Sequence, residues 1–173
     1  MSSTSTNKQP LLVDRPLHKW AILGPTPALS NANNFSTIIG GGCTELVSCV
    51  SNDGAVIDSL SIFATQQNTT AVTVVFFLSS SSTPFGISES NTAPVASVVV
   101  LSSAAGERTN VSLPPLVIPV PSLGGQTSPT ETSKKNTGLY VEAGQVLYVG
   151  LNQAILAPTP ATKIVAFAQG GFF

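Results

Sequence analysis

His18, Cys43 and Cys49 are the only side chains of their kinds in the chain, so a zinc site or a nucleophile with an imidazole base would have to draw on them. Zinc ligands come in closely spaced pairs, and this set has no such spacing. If Cys43 to Ser51 runs as one strand, six residues at about 3.3 Å each separate the two cysteines by about 20 Å, too far for a disulfide. Both are read as buried free thiols and His18 as a surface residue. Serine is abundant, but no Gly-x-Ser-x-Gly elbow occurs, and a serine hydrolase would need His18 as its sole base.

Carboxylates offer little more. Asp14, Glu45, Asp53, Asp58, Glu89, Glu107, Glu131 and Glu142 could supply an acid and a base for glycoside cleavage, but most fall in expected turns. Asp58, expected in mid-strand, is read as a satisfied buried acid, an outward-facing residue or a subunit contact. Gly40-Gly41-Gly42 leads into Cys43-Thr44 rather than a Lys-Ser/Thr helix start, so it does not read as a phosphate loop. The expectation is a protein that is not an enzyme and carries no metal or cofactor.

Composition bounds the partners. Charged residues are 9 % of the 173-residue chain and hydrophobic residues 42 %, against about 25 % charged in an average soluble domain. Seven lysines and arginines are scattered and the net charge is -1, which provides no basic stripe for nucleic acid. Apolar runs reach about eight residues, short of the roughly 20 that a membrane helix needs. Residues Met1 to Lys8 lack the apolar core of a signal peptide.

The elements that would position these residues read as strands. Ala71 to Leu78 is apolar on both alternating faces, so one face requires a cover beyond the sandwich core: another subunit, the N-terminal segment or the proline-rich segment. Val95 to Ser102 repeats the pattern. Asn52-Asp53-Gly54 between Glu45–Ser51 and Ala55–Ala64 predicts a hairpin with Val47 opposite Leu60 and Cys49 opposite Asp58. Leu113 to Pro121 carries four prolines and reads as an extended edge, and Gly124 to Asn136 as a polar excursion. About nine short strands without a helical period predict an all-β protein, a jelly-roll-like antiparallel β-sandwich over residues 21–173 with a loop excursion at about 113–136. Residues 1–20 are expected to form an extended N-terminal arm, because Pro10 and Pro16 disfavour a helix. The arm lies either on its own domain or on a neighbouring subunit with Trp20 as anchor. Leu11, Leu12, Val13, Pro16, Leu17 and Trp20, with Phe172 and Phe173 at the other end, are the interface candidates.

Gly54-Ala55-Val56-Ile57-Asp58-Ser59-Leu60, Tyr140-Val141-Glu142-Ala143-Gly144-Gln145-Val146-Leu147-Tyr148-Val149 and Ala166-Phe167-Ala168-Gln169-Gly170-Gly171-Phe172 are together similar to segments of small virion structural proteins of tailed bacteriophages, including cyanophages. The resemblance spans residues 54–78 and 138–173. It implies a capsid decoration or cement protein, made in the host cytoplasm and bound at the capsid surface. Its implied partners are the major capsid protein and further copies of itself as a dimer or trimer. A tail, neck or fibre component and, in another class, a carbohydrate-binding module are the alternatives.

Overall fold

The computed structural model describes residues 15–23, 26–31, 34–38, 40–65, 70–102, 105–113, 115–119, 133–155 and 163–173. Their strands, in chain order, are β1 (Arg15–Leu23), β2 (Leu29–Asn31), β3 (Asn34–Ile38), β4 (Thr44–Ser48), β5 (Gly54–Ala64), β6 (Val72–Ser79), β7 (Thr92–Val100), β8 (Arg108–Val111), β9 (Pro115–Pro119), β10 (Ser133–Thr137), β11 (Leu139–Glu142), β12 (Val146–Leu151) and β13 (Ile164–Phe172). One sheet runs β1-β13-β5-β11, with β8 also pairing β5, and the other runs β4-β12-β6-β7. All these pairings are antiparallel. The architecture is the all-β antiparallel sandwich that the short, turn-punctuated strands predict. Among the described residues no helix is long and apolar enough to cross a membrane.

The sandwich core follows from period-two alternation. Leu17, Ala21 and Leu23 of β1, Ile57, Leu60 and Ile62 of β5, and Val72, Val74 and Phe76 of β6 are all buried in one cluster between the sheets. Strand β6 is apolar on its other face as well, and the same chain covers it. Val75 and Phe77 are fully buried in a second cluster with Ala28, Leu29, Ile87, Val146 and Tyr148, against which Ile38 packs. The covering segments are the β2–β3 ribbon and the connection from β6 to β7. Ala28 N–H donates to the Leu151 carbonyl at 2.7 Å, and Tyr148 Oη donates to the Ser81 carbonyl at 3.0 Å. The cover is thus a third layer of the same domain, whereas the sequence pointed to another subunit, the N-terminal segment or the proline-rich segment.

Three further expectations are corrected. The chain turns between β4 and β5, but Gly54, at φ 142°, already opens β5, no described non-glycine residue has a positive φ, and β4 and β5 do not pair. Strand β4 joins β12 in one sheet and β5 joins β13 in the other, so the turn carries the chain between sheets. A residue pair such as Asp-Gly sets a local reversal, whereas strand partners depend on which faces must be buried. The boundary at residue 20 falls inside β1, which pairs with β13 along its whole length from Arg15↔Phe172 to Leu23↔Ile164. Pro16 is accommodated because β1 is an edge strand, where a missing N–H leaves no ladder bond unmade. Residues 133–137 of the expected excursion pair with residues 115–119 as a separate two-stranded sheet. Asp58 is exposed, the outward-facing one of its expected placements, beside a register irregularity between β5 and β13 at Gln169/Gly170.

Candidate interaction surface

Antiparallel register fixes which side chains share the outer face of the β1-β13-β5-β8 sheet, since directly opposed residues point the same way. One row across the strands is Ile22, Val165, Phe63 and Arg108; the next is Trp20, Phe167, Ser61 and Asn110; a third is His18, Gln169 and Ser59. The intervening rows, such as Ala21, Ala166 and Ile62, are buried in the core. Trp20 is 64 % exposed and Ile22 45 %, while Val165, Phe167 and Phe63 are half-buried. Five contiguous apolar side chains therefore face solvent on the most rigid kind of platform, a sheet whose other face is core. Isolated exposed hydrophobes are ordinary, but a contiguous group marks a contact surface.

Arg108 frames the patch. Its Nε donates to the buried Ser61 Oγ at 2.9 Å, and its guanidinium lies 5.8 Å from the Phe167 ring centroid, within cation–π range. These two contacts hold the charge against the sheet. In the polar row, Ser59 Oγ donates to Gln169 Oε1 at 3.5 Å. Where β8 and β11 leave a gap along β5, a cleft of about 450 Å³ opens beside the patch, lined among others by Asp58, Ser59, Asn110 and Ser112. Asp58 is the one carboxylate among its described lining residues. Among the described residues no group of three or more His, Cys, Asp or Glu side chains comes together as a metal site.

The interface candidates divide. Trp20 is the most exposed member of the patch, and Pro16 is exposed on the same edge strand. Leu17 and Phe172 are buried in the chain's own core, which removes them as outward contacts. Phe173 is half-buried, its N–H donates to the Gly54 carbonyl at 3.1 Å, and its ring lies 6.0 Å from that of Tyr140. Leu11, Leu12 and Val13 lie outside the described residues. Sequence reasoning missed Ile22, Val165, Phe63 and Arg108. Alternation along β1 and β13 could have grouped the first two with Trp20, but Arg108 opens a four-residue strand with no apolar run to announce it.

The two thiols are buried and not disulfide-bonded, as expected. Burial pushes Cys43 up to about 12 and Cys49 up to about 11. Tyr148 is raised to about 12, by burial first and then by the charges of Glu45 and Cys43. These groups stay protonated at neutral pH, and a neutral thiol is a poor nucleophile and metal ligand. Because their folded-state values lie above those of an unfolded chain, the stability they confer is complete below about pH 9 and is lost as pH rises toward about 12. Thermal midpoints are therefore expected to fall steeply above about pH 9, and Cys43→Ala with Cys49→Ala to flatten that decline. A midpoint constant through this window would contradict the burial of these groups. No protein-family model and no curated protein matches the chain.

Proposed function

We propose that this chain is a structural virion protein that binds a protein lattice through the outer face centred on Trp20, the capsid decoration or cement role implied by the sequence resemblance. The observation that carries the reading is the contiguous group of exposed Trp20 and Ile22 with half-buried Val165, Phe167 and Phe63 on one sheet face, beside a fixed Arg108. Tryptophan and arginine dominate the binding energy of protein interfaces, and large apolar surface beside a polar rim is how such interfaces are built. A sheet backed by core loses little conformational freedom when it docks. Repetition over a lattice multiplies a modest affinity.

Trp20→Ala is expected to weaken binding to purified particles by about 30-fold or more, the effect of losing a hot-spot residue, with an unchanged melting midpoint because the indole is solvent-exposed. Undiminished binding would overturn the assignment of this face. Abundance close to that of the major capsid protein in purified particles supports a shell role, and a low copy number per particle supports a tail, neck or fibre component instead. A glycan reading uses the same indole with His18 and Gln169 in the neighbouring row. Trp20 is the only tryptophan, so a shift of its emission on titration with oligosaccharides would favour that alternative.

A further inference from the structure

Sheet edges decide what a sandwich adheres to, because an edge strand presents unpaired N–H and C=O groups, and most edges are blunted by charge, proline or shortness. Among the described residues, β1 carries Pro16, His18 and Lys19, β4 is short and holds Glu45, β8 is short and opens on Arg108, and β11 is short and ends on Glu142. Strand β7 is different. It ends its sheet with β6 as its partner on one side only, and from Thr92 through Leu101 it holds no charged side chain. Pro94 and the register irregularity opposite Phe76/Phe77, which skips Val95, guard its first part, but among the described residues of β7 no charge or proline guards Ala96 onward. Val99 and Leu101 are 54 % and 59 % exposed.

We propose that β7 pairs antiparallel with β7 of a second copy about a two-fold axis at Ser97, joining the two β4-β12-β6-β7 sheets into one continuous sheet. Antiparallel pairing of identical strands is the self-complementary arrangement that a two-fold axis requires. It is stable only where no like charges meet, a condition that the uncharged β7 satisfies. Strand β1, equally long, would gather Arg15, His18 and Lys19 with their own copies in one small interface. Ser97 opposes Val75 and Val99 opposes Thr73 in the β6–β7 ladder, so Ser97 and Val99 point to the outer face. An axis at Ser97 sets Val99 of the second copy opposite Val95. There it meets a cleft of about 280 Å³ lined by Val75, Pro94, Val95, Ala96 and Ser97. At this axis Pro94 falls opposite Val100 of the second copy, at the margin of the ladder; moving the axis toward the start of β7 would carry Pro94 further into it, and moving it toward the end would leave the cleft unfilled. The pairing rests on β7 alone and does not depend on what the Trp20 face binds.

Sedimentation equilibrium of the full chain is expected to show a monomer–dimer equilibrium. Ser97→Lys sets each lysine against its own copy at the axis and is expected to weaken dimerisation at least about tenfold at low salt. Ser97→Glu is expected to do the same. Mixing the two variants restores association, because the lysine of one then meets the glutamate of the other. Ser97 is exposed, so far-UV circular dichroism and melting midpoints should stay at parent values. A parent chain that remains monomeric across the series, a Ser97→Lys dimer as tight as the parent's, or a mixture no more associated than its components would each overturn the proposal.

Discussion

Phe77→Ala is expected to destabilise the isolated chain by about 3–5 kcal/mol, as much as Phe76→Ala, when the two are compared by urea unfolding. The residues are neighbours on β6 and point to opposite faces. Phe76 is fully buried between the sheets, so its cost is that of any large core truncation. Phe77 is fully buried in the second cluster, against Ala28, Leu29, Ile87 and Tyr148. If a separate subunit supplied that cover, Phe77 would face water in the monomer and its truncation would cost well under about 1 kcal/mol. Equal losses at unchanged protein concentration therefore establish that the third layer belongs to the domain. A near-neutral Phe77→Ala would return the outer face to an assembly partner. Because whole domains are stable by only about 5–15 kcal/mol, either substitution leaves a small margin.

Gly170→Ala is expected to cost about 3 kcal/mol, at the upper end of the range for overpacking. Gly170 stands opposite Ile57 at the irregularity where β13 changes register on β5. A Cβ there would lie 1.9 Å from the Val56 carbonyl oxygen and 2.9 Å from Ile57 Cα. Both obstacles are backbone of a paired strand and cannot swing aside as a side chain would. Gly106 is the contrast. Its φ is 77° but a Cβ would meet nothing within 4 Å, so Gly106→Ala carries only the left-handed backbone penalty of about 1–2 kcal/mol. Denaturant midpoints for the pair separate steric exclusion from backbone strain, and a Gly170→Ala chain as stable as the parent would exclude the tight β13–β5 approach.

The sequence announces β6 plainly, because a stretch with seven apolar residues among the eight from Ala71 to Leu78 cannot sit half in water. What lies over its second face is not legible there. Ala28, Leu29 and Ile87 are single apolar residues among Pro, Ser, Asn and Gly, and nothing local distinguishes a turn residue that caps a sheet from one that faces solvent. Strand β1 shows a similar limit. Its one proline obscures an alternation in which Leu17, Ala21 and Leu23 face the core while Pro16, His18, Trp20 and Ile22 face out. Trp20 is legible as an anchor, but its companions Val165, Phe167 and Phe63 become neighbours through pairings across nearly the whole length of the chain. Such distant contacts leave no periodic trace. The connection between β4 and β5 is legible as a turn from Asn52-Asp53-Gly54, and its strands part because each carries apolar residues that a different sheet buries.

Strand β13 lies between β1 and β5, and so joins an early strand to the middle of the chain. During synthesis, β1 leaves the ribosome long before residues 164–172 exist to receive it, and β5 waits with one side bare. The first sheet therefore closes only after these residues have emerged, and loop closure over such a span is slow. Until then the nascent chain displays the uncharged β7 edge and the unburied faces of β5 and β6 together, the combination most prone to wrong pairing. The order of the strands makes assembly of this domain a late, all-at-once event, and the interval before it is when chaperones have most to protect.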